Sequence, residues 1–489
     1  MKTKTAVKSI SWTIVRLTAL LAALALPAPP TRAQETKPEA AESGLRRFLE
    51  RDYLFGDWCG GRSWLAKQGV DLEFLYAAAV PTSLEGGRKS GSVYEGTLLM
   101  MLDVDSAKLA GYEGGHFHVS SLALQSGRAF SRNYVGDLNQ VSLLDFPDAF
   151  RLWELWYEQK LAGGKVALRL GELDIGQDFI LPEYYNTLGM VTFLNQTFFF
   201  PTMAFNVWDQ PYFPTGHHGL ASTPYAAPGA RLRLEPYAGF YVQAGVYGGN
   251  PDRSHAGTGF SLSQSEGALS YYEIGYRHNQ GKHDDGPPGN IKLGGWYHTG
   301  SFVDMYEGTF NAFDNYAAAA GLGLPPVSVA PARFADGNYG AYLLVDHVLW
   351  REIGKTDKAQ QGLVGFLLAS AAPPDRNLAQ FGLNGGLVYK GAIPSRDWDS
   401  VGLAASYLKM SDDIRRAQRD LNAYATENFG TALLPEADYE AVLEFNYRAQ
   451  LAAWWSLQTS LQRVWHPGGR LQAELPDAWV FIVQTAFRF

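Results

Sequence analysis

The chain has 489 residues, with 41 Lys and Arg against 49 Asp and Glu, a formal net charge of −8. That balance disfavours nucleic acid as a partner, and the single cysteine, Cys59, excludes an intramolecular disulfide framework. Glycine (52 residues) and aromatic residues (13%) are abundant while charged residues are sparse at 18%.

Lys2, Lys4, Lys8 and Arg16 precede the apolar run LTALLAALAL, and PAPPTRAQ follows with small residues at a cleavage point near Ala33. A basic start, a short apolar run and an Ala-ending tail predict a secretory signal peptide over 1–33. As a membrane anchor the run is too short to span a bilayer comfortably. Removing it takes away five basic residues and no acidic ones, so 36 basic side chains remain against 49 acidic, a net charge of −13. Residues 34–69 read as a periplasmic N-terminal segment. QETKPEAAESG is polar and loose, and GLRRFLERDYLFGDW and GRSWLAKQG form short helices that end at Gly69. No later stretch of 18 apolar residues exists, so no transmembrane helix is expected. An exported chain of this composition can still cross a membrane as a closed barrel, in which backbone groups are satisfied between strands.

From 70 to 489 the chain alternates between apolar and polar positions in segments at 70–80, 94–105, 115–126, 149–161, 165–173, 227–235, 239–248, 270–279, 290–299, 338–350, 361–371, 379–390, 398–409, 437–449, 453–464 and 478–489. Period-two alternation marks two-faced strands, and about sixteen of them predict an all-β, transmembrane antiparallel β-barrel. The connections support this. AGG, PYA and QLA follow strands four, six and fourteen. The stretches 127–148, 174–226, 249–269, 300–337, 410–436 and 465–477 follow odd-numbered strands. Short periplasmic turns alternating with long extracellular loops produce that rhythm. In the closing AWVFIVQTAFRF, one parity holds Trp479, Phe481, Val483, Thr485, Phe487 and Phe489. Aromatic rings at both ends of an apolar stripe fit the two membrane interfaces.

Parity also separates wall from lumen. Trp153, Leu155, Tyr157 and Leu161 are expected to face lipid, turning Glu154, Glu158 and Lys160 inward. Leu168 and Leu170 face out with Arg169 in; Leu232 and Leu234 face out with Arg231, Arg233 and Glu235 in. Tyr272, Ile274 and Tyr276 face out with Glu273 and Arg277 in, and Glu440, Glu444, Asn446 and Arg448 share the inner face. An Arg or Lys facing lipid near the midplane costs ~2–4 kcal/mol, so the charged parity must be the interior. Sixteen strands leave an aqueous channel. The connection 174–226 is too long for an idle loop, and its aromatic run FLNQTFFFPTMAFNVWDQPYFPTG favours infolding as a constriction, because so many rings exposed to water would form an unusual apolar patch.

Four stretches carry a family resemblance: LFGDWCGGRSWLAKQGVDLEFLYAA, LRLGELDIGQDF, YAAPGARLRLEP and GVYGGNPD. In that order and spacing they resemble the carbohydrate-selective porins of Gram-negative bacteria, the OprB type, over nearly the whole mature chain. Cys59 stands where the family's opening has the first Gly of a pair. The resemblance implies a sixteen-stranded outer-membrane barrel for passive diffusion of glucose or other mono- or oligosaccharides. It also implies outer-membrane lipid around the barrel and reading of the Phe489 end by the barrel-insertion machinery. By matched motif it makes Arg169, Glu172, Arg231 and Arg233 the eyelet candidates. Neutral hydroxyl-rich solutes need paired donors and acceptors plus aromatic faces. Glu154, Glu158 and Glu273 supply further acceptors, and Trp208 and Tyr212, with Phe213, Tyr241 and Trp296, supply rings whose bland role is packing or an interface girdle. The chain does not choose between monomer and trimer, or among sugars.

Other chemistry finds little support. GKT at 354–356 lacks the upstream Gly of a phosphate loop, and no G-x-S-x-G elbow occurs. His116 and His118 share one strand face, but no third ligand stands at diagnostic spacing, so no metal site is expected. Glu154 and Glu158 on one strand are better read as lumen charge than as a glycosidase pair. No cofactor and no enzymatic activity are expected. The alternatives are an anion- or phosphate-selective porin built on Arg169, Arg231 and Arg233, and a secreted carbohydrate-active hydrolase on a β scaffold.

Overall fold

The computed structural model describes residues 39–126, 129–185, 191–200, 223–249, 256–257, 267–279, 286–319, 326–328, 331–352, 361–471 and 473–489. The signal-peptide reading of 1–33 and the rings of Trp208, Tyr212 and Phe213 lie outside the described residues.

Sixteen long strands build the protein: β1 (Val70–Glu85), β2 (Glu95–Asp105), β3 (Gly115–Gln125), β4 (Ala149–Leu161), β5 (Val166–Leu173), β6 (Ala227–Tyr237), β7 (Phe240–Gly248), β8 (Ala268–His278), β9 (Gly289–Val303), β10 (Phe334–Arg351), β11 (Gly362–Ala371), β12 (Ala379–Lys390), β13 (Ser400–Met410), β14 (Tyr439–Ala452), β15 (Trp455–Trp465) and β16 (Ala478–Arg488). Two-residue strands at Gly91–Ser92 and Ala256–Gly257 join the margins. Each long strand pairs antiparallel with its neighbours in sequence, and β16 returns to pair with β1 from Leu75↔Arg488 to Glu85↔Trp479. The sheet is a closed barrel. Closure satisfies the backbone without a helix, and no helix among the described residues is long and apolar enough to cross a membrane.

The wall is inside-out relative to a water-soluble fold. Leu168, Leu170, Leu232, Leu234, Tyr272, Ile274, Tyr276 and Leu443 stand exposed on the outside. Glu158, Arg231, Glu273, Glu440, Glu444 and Arg448, on the opposite parity, are buried within. One expected side is wrong. Ser120 pairs with Glu154 and Ser121 with Leu152, so β4 carries a bulge whose extra residue is Trp153. The bulge turns Trp153 into the barrel, where it is buried and its Nε1 donates to Asp174 at 3.0 Å.

The described residues include five α-helices: α1 (Glu39–Leu49), α2 (Gly61–Lys67), α3 (Ser106–Ala110), α4 (Met305–Ala319) and α5 (Asp412–Phe429). The stretch read as loose is helical from Glu39, and the helix expected across 44–58 ends at Leu49, with Arg46 and Arg47 in its last turn beside the free carbonyls. The long connections after β9 and β13 hold α4 and α5. The latter is capped by Ser411, whose Oγ accepts from Asp413 and Ile414 N–H at 3.1 and 3.3 Å, and ends at Gly430 with φ 75°. Cys59 sits at φ 57°, a left-handed conformation that costs a side-chain-bearing residue ~1–2 kcal/mol and a glycine almost nothing.

The pairing of β16 back onto β1 should hold the barrel together in detergent until it is heated. Unboiled and boiled protein should therefore migrate differently in detergent gels, and identical mobility with a helical circular-dichroism spectrum would contradict the closed sheet.

Candidate pore constriction

Inner-facing wall carboxylates do not line the lumen as free charge. Several of them accept main-chain N–H groups from connections between strands. Glu440 on β14 accepts from Leu138 and Asn139 N–H, each at 2.8 Å, and from Gly468 N–H at 2.7 Å. Glu444, two inward positions along, accepts from Leu194 and Asn195 N–H at 2.8 and 2.9 Å. Asp346 on β10 accepts from Glu183 and Tyr184 N–H at 2.6 and 2.8 Å, and Glu273 on β8 from Ile180 N–H at 3.1 Å. A carboxylate with two oxygens matches two neighbouring amides, and hydrogen bonds to a charged acceptor are among the stronger ones.

Neutral side chains finish the seating. Gln243, Asn384, Gln458 and Gln462 donate to the carbonyls of Asp178, Thr197, Thr192 and Val141 at 2.7, 2.8, 2.5 and 2.8 Å. The described parts of 174–226 thus lie on the inner wall, with Ile180 at β8, Glu183 and Tyr184 at β10, Thr192 at β15, Leu194 and Asn195 at β14, and Thr197 at β12. Their apolar side chains Phe179, Ile180, Tyr185, Phe193 and Phe198 pack against Tyr247, Tyr271, Tyr342 and Phe366 of the wall. The connection after β3 behaves likewise, setting Phe130, Val135 and Val141 against the inward Val442, Val464, Val480 and Ile482.

The expected eyelet residues divide into two groups. Arg169 and Arg231 face each other across β5 and β6 and close a square with Glu158 and Asp178. Arg169 reaches Glu158 at 3.0 Å and Asp178 at 2.9 Å, and Arg231 reaches them at 2.6 and 3.3 Å. Three of the four are buried, and Arg169 also lies 3.8 Å over the Trp156 ring. The square fastens the start of the long loop to the wall. Arg233 stays part-exposed to the lumen. It reaches Glu235 at 3.4 Å, which Arg277 also holds at 2.6 Å, with all three side chains 25–28% accessible. Arg233 covers the Tyr241 ring at 3.8 Å, so that ring is not an open stacking face, and Trp296 is buried in the loop–wall cluster.

Glu154 is buried and accepts the Asp174 N–H at 3.3 Å. Glu273 is buried beneath the loop, accepting from Tyr241 and Tyr342 hydroxyls at 2.8 and 2.7 Å. Glu172 pairs with Leu155 and Pro228, in step with the outward Leu168 and Leu170, and is buried. His116 and His118 both donate to one oxygen of Asp103 at 2.8 Å. Among the described residues no group of three or more His, Cys, Asp or Glu is disposed to hold a metal. The amide anchors escaped the reading of the sequence because it followed charge. The period-two stripe Gln458, Ser460, Gln462 in LQTSLQRV was there to be read.

A family model described as carbohydrate-selective porin, OprB family, matches residues 89–489. The chain belongs to that family. The porin is 24% identical to Porin B of Pseudomonas aeruginosa over 449 residues, 89% of this chain and 91% of that one. It is 23% identical to the putative porin QuiX of Acinetobacter baylyi, with 88% and 92% covered. A high-pH structure of Pseudomonas putida OprB superposes with a TM-score of 0.72 at 22% identity, over 90% of this chain and 99% of that one, which shows the shared fold. The protein is thus a channel rather than an enzyme. Of the four stretches that carry the resemblance, the GDWCGGR opening lies before the matched residues.

Replacing Glu444 by Leu leaves the Leu194 and Asn195 amides buried without an acceptor, at a cost of ~1–3 kcal/mol each. The loop should loosen while the barrel stays closed. Single-channel recordings should show higher conductance and noisier current with gel mobility unchanged, and Glu444→Gln should fall between.

Proposed function

We propose that this porin lets sugars diffuse passively across a Gram-negative outer membrane through a water-filled lumen narrowed by the 174–226 connection. The observation that carries the reading is the part-exposed row Arg233–Glu235–Arg277 beside the closed Arg169–Glu158–Arg231–Asp178 square. The row has donor and acceptor capacity to spare on its lumen side, set along one wall. Arg guanidinium groups donate to sugar hydroxyls and Glu235 accepts from them. Each such bond is worth ~1.5–3 kcal/mol before desolvation is subtracted. A few of them give a millimolar-class site that slows ions while occupied and releases sugar quickly.

An anion-selective channel would draw on the same arginines. In this porin each of Arg169, Arg231, Arg233 and Arg277 has a carboxylate within 3.4 Å, which favours a solute that needs both signs. Arg233→Ala should weaken glucose block of ion current several-fold while leaving the loop seated. Arg231→Ala should instead raise current noise, because it opens the square. Sugar block at the wild-type level in Arg233→Ala would place the solute contacts elsewhere.

We also infer that the aromatic, outward parity closing on Phe489 is the feature read by the barrel-insertion machinery. Deleting Phe489 should cut outer-membrane levels sharply without changing export across the inner membrane, as measured by fractionation. Normal insertion of the truncated chain would refute this.

A further inference from the structure

The Gly-Asp-Trp opening stands outside both the barrel and the residues matched by the family model, and the pore mechanism makes no use of it. Its surroundings show a purpose. β1 begins at Val70, but its pairing with β16 starts only at Leu75. Beside the end of β16, Val70–Phe74 therefore present a strand edge with no strand next to it, the kind of edge that pairs with whatever comes near.

We propose that residues Tyr53–Arg62 form a built-in clasp that docks the end of β16 onto this overhang and holds the β1–β16 seam shut. Arg62 is the pin. Its guanidinium forks to one main-chain oxygen on each side of the seam, Leu72 O at 2.7 Å on β1 and Phe489 O at 2.5 Å just past β16. It is 7% exposed and held between the rings of Tyr53 at 3.7 Å and Trp58 at 4.4 Å. A planar fork held by stacked rings loses little freedom when it binds two acceptors, which a lysine cannot reproduce.

The surrounding contacts repeat the bridge. Leu54 N–H donates to Arg488 O and Phe489 N–H to Phe74 O, both at 2.9 Å. Arg488 pairs with Glu73 of β1 at 2.5 Å and lies 4.9 Å over Tyr53. Phe55 packs on Phe489 with ring centroids 5.3 Å apart. The GDWCGGR run shapes the clasp. Asp57 accepts from both the amide and the hydroxyl of Ser63 at 2.7 Å, and Gly60 takes φ 95°. Those Ser63 hydrogen bonds, the hydroxyl's first, hold the Asp57 carboxyl below its ordinary range.

Hydrogen exchange on the full-length porin in detergent tests this directly. In the wild type the Leu54 and Phe489 amides should exchange at least ~100-fold more slowly than in an unstructured peptide. Arg62→Leu should speed both at least ~10-fold while Ala77–Val80, inside the paired seam, stay protected. Conductance and sugar block should not change, which separates this role from that of the lumen arginines. Should Arg62→Leu yield no folded barrel, Arg62→Lys is read the same way and should show faster exchange at the same two amides. Exchange at wild-type rates in the variant, or fast exchange of both amides in the wild type itself, overturns the clasp.

Discussion

The architecture depends on carboxylates of the wall accepting main-chain amides of the infolded connections. Glu440, Glu444, Glu273 and Asp346 each sit on the polar parity of a strand and each take at least one N–H from a connection folded against the inner wall. A buried carboxylate without partners is strongly unfavourable, and so is a buried amide without an acceptor. The two liabilities cancel where they meet. Because these bonds go to backbone, they seat the loop without drawing on most of its side chains, Asp178 in the arginine square being a side-chain anchor. Those side chains are left to pack against the aromatic cluster.

This arrangement changes the meaning of the lumen charge. A strand pattern that turns Glu, Arg and Asp inward reads as a wet, charged pore lining. Much of that charge is instead consumed in holding the constriction in place, and only a short row around Arg233, Glu235 and Arg277 keeps spare hydrogen-bonding capacity among the residues argued to meet solute. The seat of the infolded connections and the part-exposed row are built from the same residue types on inward positions of the wall.

The strands were legible because period two survives any tertiary context in which one face meets lipid and the other water. Exposed Leu232 and Leu234 beside buried Arg231 repeat what the letters RLRL already show. Trp153 was not legible, since a bulge is a property of two strands in register and leaves no mark on one of them. α5 had a readable start and stop, Ser411–Asp412–Asp413 and Gly430, but lay inside a stretch read only as a long connection. The locking of Arg169 and Arg231 needed Asp178, a loop residue whose arrival between them depends on the path of the chain. Glu273 likewise reads as lumen charge until Ile180 is seen lying on it.

The square of Arg169, Arg231, Glu158 and Asp178 has one further consequence. Two guanidinium groups and two carboxylates cancel as a monopole, so the square imposes little net potential on a charge moving along the barrel axis. Its alternating signs still leave a short-range field directed across the channel, which falls away within a few ångströms of the wall and is felt mainly by dipoles close to it.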